Sequence, residues 1–197
     1  MRLFLVRHGQ TTANVAGALD TALPGAELTD LGWQQAATLP ERFEDVEIAH
    51  MAISDRTRTA QTASYLAKAI NLDPVIDPDL REIGAGSLEM NTDIPSVRAY
   101  RSRVLEWSHG NLDEVMPGGE SGHQVIDRFD RAIQRAHERA DTPGALVIVA
   151  HGAIIRTWSR LRAGVTDLEE YPYVDNAGIV EMTDDEGTWQ IKNWMKR

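Results

Sequence analysis

The chain contains no cysteine. Disulfides, thiolate metal sites and cysteine nucleophiles are thereby excluded. Basic residues are outnumbered: 20 Lys and Arg stand against 30 Asp and Glu, for a formal net charge of −10. That balance argues against broad contact with nucleic acid or an anionic membrane. It also means that any phosphate must be met by a local basic pocket, because the overall field repels it. No apolar run reaches the roughly 18 residues that suggest a membrane span. The opening stretch Met1-Arg2-Leu3-Phe4-Leu5-Val6 is too short for a secretory signal, and a charged stretch follows at once. It reads better as a buried strand. Internal repeats, low-complexity tracts and long linkers are missing too. An acidic chain without disulfides, signal or span is expected in the cytoplasm.

What is present is an ordinary globular composition, 42% apolar and 25% charged over 197 residues, enough to bury one good core. Three short apolar runs read as buried strands: Leu3 to Val6, Ile48 to Ile53 and Ala145 to Ala150. Apolar residues at helical spacing follow the second (Ala63, Leu66, Ala67, Ile70) and the third (Ile154, Ile155, Trp158, Leu161). Val125, Phe129, Ile133, Ala136 and Ala140 mark a longer helix, and Ser121 to Gln124 before it fits a capping box. Val97, Tyr100, Val104 and Trp107 predict a helix beginning near Pro95, and a helix after Thr29 should stop or kink at Pro40. Near the C-terminus, Ile179 to Met182 and Trp189 to Lys192 alternate as strands around a turn at Asp184 to Gly187. The fold class is therefore α/β: a three-layer helix-sheet-helix arrangement with a mostly parallel central sheet and an antiparallel edge.

Three polar clusters stand just past a strand and just before a helix: Arg7-His8-Gly9, Ser54 to Arg58, and His151-Gly152. If the strands are parallel, all three clusters reach one sheet edge, where ligands bind in open α/β sheets. Helix N-termini there favour an anion. Arginine meets phosphate with a planar fork, and neutral imidazole is a competent nucleophile. The arginines can offset the charge developing on a transferring phosphoryl group, so neither metal nor cofactor is required.

These residues resemble the histidine phosphatase superfamily, on its phosphoglycerate-mutase-like branch. Leu5 to Asn14 is similar to that family's signature, and Leu28-Thr29 through Gly32 to Gln35-Ala36 is similar to the segment that follows it. Ser54 through Arg58 to Gln61-Thr62-Ala63 resembles its second motif. Leu80-Arg81-Glu82-Ile83 with Gly86 and Glu89, Gly118 to Ser121, and Val147 to Gly152 complete the set in the family's order. The resemblance implies a single domain over residues 1–197, with a cap-like insert at about 87–118 that shapes the leaving-group site. It implies that His8 attacks phosphorus, and that Arg7, Arg58 and His151 hold the phosphoryl oxygens with Asn14 and the backbone at Gly152. Glu82 then protonates the leaving oxygen and later activates water, with Glu89 and Asp93 as fallback acids.

The match has departures. Arg56 and Thr59 replace the usual Leu and Ala, so Arg56 competes with Arg58, which register favours. Thr12 stands where mutases often have Glu, and Met90 where many members have Gly. The remaining histidines, His50, His109, His123 and His137, read as surface or capping residues without metal-ligand spacing. Trp107, Trp158, Trp189 and Trp194 read as core or edge packing.

Three functions are weighed. The preferred one is metal-independent hydrolysis of a small phosphate monoester. Mutase-type phosphoryl transfer is the alternative, but the segment Glu89 to Pro117 is short and carries only Arg98, Arg101 and Arg103, where mutases have a longer, more basic insert. A non-catalytic binding module is the third, and such members typically lose the first His or an arginine, which this chain keeps. The expected partner is a small phosphorylated substrate, not nucleic acid or membrane, and assembly as a homodimer is left open.

Overall fold

A computed structural model describes residues 1–167 and 169–195. In chain order the elements are β1 (Arg2–Arg7), α1 (Thr12–Ala16), α2 (Asp30–Ala37), α3 (Leu39–Arg42), β2 (Ile48–Ile53), α4 (Thr57–Ile70) and β3 (Val75–Ile76). After two single 3-10 turns come α5 (Ile94–Ser108), α6 (Gly122–Glu138), β4 (Ala145–Ala150), α7 (Gly152–Arg162), β5 (Ile179–Asp185) and β6 (Thr188–Met195). One sheet of six strands runs in the order β3-β2-β4-β1-β5-β6. The first four are mutually parallel, and β5 and β6 add an antiparallel edge beside β1.

The side-chain alternation of strands builds two cores from one sequence. Leu3 and Leu5 of β1 and Leu146 and Ile148 of β4 face Trp107, Phe129, Ile133 and Trp158, supplied by α5, α6 and α7. Their neighbours Phe4, Val6, Val147 and Val149 face the other way, onto Leu39, Phe43, Ala63 and Leu66 around α3 and α4. Strands covered on both faces read as unbroken apolar runs, and all six residues of β4 are buried. The three-layer mixed sheet expected from the sequence is the observed one.

Local signals hold in most places. Ser121 and Gln124 form a reciprocal capping box at α6, with hydrogen bonds of 2.9 and 3.3 Å. Asp93 caps α5, accepting from the Ser96 N–H at 2.9 Å with Pro95 in the first turn. Pro40 does not kink one helix: α2 ends at Ala37 and a separate turn, α3, starts with Pro40 in its first turn. The hairpin turn is tighter than expected. Asp184 and Asp185 stay paired in β5, and only Glu186 and Gly187 turn, both with positive φ (49° and 85°). His50 is a correction. It is expected from the sequence at the surface or in a cap but is 8% exposed, inside the run that forms β2. Burial lowers its basicity, Arg139 adds to this, and Asp141 opposes it. His109 ends α5, and His123 and His137 are exposed.

One buried cation organises the loop before α5. Arg128 of α6, 1% exposed, donates to the carbonyls of Asp79 (2.7 Å), Arg81 (2.8 Å) and Glu82 (3.0 Å). It also grips both carboxylate oxygens of Glu120 (2.9 and 3.2 Å). Arg128→Met leaves three carbonyls without this donor and Glu120 with Arg81 alone. The expected cost is about 3–5 kcal/mol of stability, read by urea denaturation. A loss below about 1 kcal/mol, the level of a surface pair, would show the network to be dispensable.

Candidate active site

Because β1 and β2 both flank β4 in parallel, their C-terminal ends meet at one edge. The His8 N–H donates to the Ala150 carbonyl (3.1 Å), and the Ser54 N–H to that of Val149 (3.1 Å). There a cavity of about 100 Å³ opens between Arg7, His8, Asn14, Arg58, Glu82 and Gly152. It is well below the roughly 300 Å³ at the small end of pockets for drug-sized ligands. Asp20, Thr21, Tyr100 and Tyr173 complete its wall.

His8 is 4% exposed. Its Nδ1 lies 2.7 Å from the Gly9 carbonyl oxygen, which can only accept. The proton is therefore on Nδ1, and Nε2 keeps its lone pair. Burial holds the ring far below the ordinary histidine range, and Arg58 and Arg7 push the same way. His151 is fully buried, its ring 5.2 Å from that of His8. Burial, then Arg58 and His8, likewise keep it neutral. Arg58 Nε donates to His151 Nδ1 (3.3 Å), so the ring's proton sits on Nε2, 2.9 Å from the Ser54 hydroxyl. His151 thus stands behind the cavity and does not line it.

The guanidiniums are fixed from several sides. Arg58, 2% exposed, donates to the Asp20 carboxylate (3.2 Å) and the Asp20 carbonyl (3.0 Å). Arg7 donates to the Val174 carbonyl (2.7 Å), while its buried Nε has no partner among the described residues. A Cβ at position 152 would fall 2.9 Å from that Nε, so only glycine lets Arg7 lie against the start of α7. Glu82 accepts from the N–H groups of Ile83 (2.9 Å), Ala153 (3.0 Å) and Ile154 (2.9 Å). The helix N-terminus expected to face an anion is thus already capped by a carboxylate. Among the described residues no three His, Asp or Glu side chains are grouped to hold a metal ion.

Arg56 turns away from the cavity, donating to the Thr21 carbonyl (2.9 Å) and pairing with Asp55. Of the two arginines, Arg58 lines the cavity and Arg56 does not. Glu89 is taken up by the N–H groups of Thr21 (2.7 Å) and Ala22 (2.9 Å), and Asp93 by its cap. Of the three carboxylates singled out as acids, only Glu82 lines the cavity. Asn14 does so while closing α1's cap with Thr11 (3.1 Å) and accepting from Asn176 (3.0 Å). Asn176, Asp20 and Tyr173 were missed by sequence reasoning. Asn176 also donates to the His8 carbonyl (3.1 Å) from 168 positions away, a contact no local pattern announces.

The fold and the cavity define a class: an α/β protein with a small cationic pocket at the carboxyl edge of its sheet. The chain belongs to the histidine phosphatase superfamily (branch 1), whose family model matches residues 3–197. Among curated proteins it is 28% identical to the probable phosphoglycerate mutase GpmB of Proteus mirabilis, covering 94% of this chain and 93% of that one. Among solved structures, the mycobacterial glucosyl-3-phosphoglycerate phosphatase in complex with VO3 superposes with a TM-score of 0.83 at 25% identity, covering 100% and 99% of the two chains. The α-ribazole phosphatase of Shigella flexneri shares the fold, with a TM-score of 0.78 at 24% identity, covering 98% and 96%.

The two buried histidines make stability depend on pH. Each titrates lower in the folded chain than in the unfolded one. Below about pH 6.5 the unfolded chain takes up protons that the folded chain refuses, so stability falls as pH falls. Each histidine contributes a slope of at most about 1.4 kcal/mol per pH unit in that window. Urea denaturation in phosphate-free buffer between pH 7 and 5 should show a shallower loss for His8→Gln than for wild type. Equal slopes would mean that His8 is not held neutral.

Proposed function

We propose that the chain hydrolyses small phosphate monoesters through a phosphohistidine on His8. One observation carries this reading: a buried, neutral His8 with its Nδ1 proton held by a carbonyl and its Nε2 lone pair free, between Arg7 and Arg58 in a cavity that also holds Glu82. Nε2 attacks phosphorus as the bond to the ester oxygen breaks, and Glu82 supplies the proton that oxygen needs. Arg7 and Arg58 meet the charge on the phosphoryl oxygens, the unpartnered Arg7 Nε among their donors. His151 supports them by accepting from Arg58 and packing against His8. In the second half-reaction Glu82 takes a proton from water, the water oxygen bonds to phosphorus, and the P–N bond returns its electrons to His8. Asn14 and Gly152 complete the proposed phosphate cradle. The proposed catalytic set is thus His8, Glu82, Arg7 and Arg58, with His151, expected from the sequence to hold the phosphoryl oxygens itself, as a positioning residue behind them.

The segment from 87 to 118 is proposed as the cap over the leaving group. α5 within it adds Tyr100 to the cavity wall and sends Val104 and Trp107 into the core. Phosphoryl transfer of the mutase type is the second reading, favoured by the name of the 28%-identical relative. A mutase must retain a doubly phosphorylated intermediate, and a cavity of about 100 Å³ with a half-open Tyr173 at its wall fits a single phosphoryl group better.

Phosphate release from p-nitrophenyl phosphate at pH 5 to 8, with a chelator present, is expected from wild type. His8→Ala should lose it entirely, and Glu82→Gln should lose about 10²- to 10⁴-fold in turnover. Full activity in purified His8→Ala would overturn the mechanism. Conversion of 3-phosphoglycerate to 2-phosphoglycerate without free phosphate would establish the mutase instead.

A further inference from the structure

The segment from Leu28 to Ala36 carries one of the chain's motifs, yet none of its residues lines the cavity. The inward face of α2 is Gly32, Gln35 and Ala36, and Leu39 continues it in α3. Gln35 is 5% exposed, at a position where burial alone would favour an apolar residue. Its side-chain oxygen accepts from the Gln10 N–H at 2.8 Å. That N–H and the Gly9 carbonyl are the two ends of one planar peptide unit. The Gly9 carbonyl oxygen is the atom 2.7 Å from His8 Nδ1. A single peptide thus joins the buried amide of Gln35 to the imidazole.

The loop on either side of that peptide is held as well. The Gly9 N–H donates to the Thr62 hydroxyl (2.9 Å), and the Gln10 carbonyl accepts from the Thr29 N–H (2.9 Å). The first turn of α2 packs directly on this backbone: a Cβ at Gly9 would fall 2.6 Å from the Gly32 carbonyl oxygen. An amide whose N–H donates is a stronger acceptor at its carbonyl, because the two bonds polarise each other. Burial, then Arg58 and Arg7, lower the basicity of His8, and the Gly9 carbonyl opposes them. That carbonyl also faces the ring when Nε2 gives its lone pair to phosphorus and positive charge spreads towards Nδ1. From this geometry we infer that Gln35 is a positioning residue, which through the Gly9–Gln10 peptide holds the proton of His8 on Nδ1 and keeps the Nε2 lone pair turned to the cavity. The inference rests on the phosphohistidine reading above. It extends the support of the nucleophile from its own loop to a helix that touches no part of the cavity.

Nitrogen NMR on isotopically labelled histidine reads the tautomer without any turnover, with the His8 signals identified by their loss in His8→Gln. Wild type should show a single His8 tautomer, protonated on Nδ1. Gln35→Met, close in volume but without an acceptor, should populate the tautomer protonated on Nε2. It should also lower kcat/KM for p-nitrophenyl phosphate by about 10-fold, the worth of one hydrogen bond. The Ki of inorganic phosphate should not weaken, because Arg7 and Arg58 keep their partners, whereas a general collapse of the site would weaken both. Gln35→Glu offers an accepting oxygen in either protonation state and should keep the wild-type tautomer and rate. If Gln35→Met does not fold, Gln35→Asn, one methylene too short to reach Gln10, is read in its place. A wild-type His8 protonated on Nε2, or a tautomer or kcat/KM unchanged in the variant, would sink the positioning role and leave the hydrolase reading intact. Equal losses in Gln35→Met and Gln35→Glu would do the same. If wild type releases no phosphate, the hydrolase reading fails, and the tautomers of wild type and variant alone decide the role of Gln35.

Discussion

Everything at the candidate site depends on the parallel register of β1, β4 and β2. β4 lies between the other two, with Arg7 opposite Ala150 and Ile53 opposite Val149. That register brings the residues after three distant strands to a single edge. It is held by the alternation of apolar residues into two cores, and a slip of one position would exchange the faces of β1 and β4. The site is therefore not a local motif with a scaffold around it. His8 and His151 are 143 positions apart, and only the pairing of β1 with β4 makes them neighbours.

The second constraint is electrostatic. The edge concentrates Arg7 and Arg58 in a buried space, inside a chain whose net charge is −10. Burial and mutual repulsion lower the basicity of neighbouring groups, and the histidines give way by staying neutral. Asp20 and the Val174 carbonyl occupy part of the guanidinium surface, while the Arg7 Nε is left over. A neutral imidazole and an unspent donor suit the proposed attack on a phosphoryl group, because neither must first be released from a partner. Cations assembled this way would let an acidic protein take the proposed dianion, because the local pocket opposes the overall field.

The fold was largely legible in the sequence because strands buried on both faces write continuous apolar runs. Leu3 to Val6 and Ala145 to Ala150 are such runs, and the cap at Ser121 follows from a short-range rule. β3, with only two residues, leaves no period to detect. His50 was misread because its polar type outweighed its place within a strand. At the site, Arg7, His8 and Gly152 were legible from their place at strand ends, and Arg58 over Arg56, like Glu82, only through the resemblance to a family motif. Asp20 and Tyr173 were not, since each reaches the cavity from a loop whose course is set by tertiary contacts, and Asn176 meets the His8 carbonyl and Asn14 from such a loop. Arg128 was equally hidden: an arginine in an amphipathic helix looks solvated until the carbonyls of the 79–82 loop are seen gathered on it.

α7 ties these strands of argument together. It begins at Gly152, where the absence of a Cβ lets Arg7 approach its first turn. The next two N–H groups hold both oxygens of Glu82, so the proposed acid is placed by the same turn that follows His151. Arg128 grips the Glu82 carbonyl from the far side, leaving the carboxylate little freedom to leave the helix end. One helix end thus fixes two neighbours of the cavity, the Arg7 guanidinium and the Glu82 carboxylate, relative to each other. The chemistry proposed for them is common to any monoester that fits, because both meet the part of the substrate that every monoester shares.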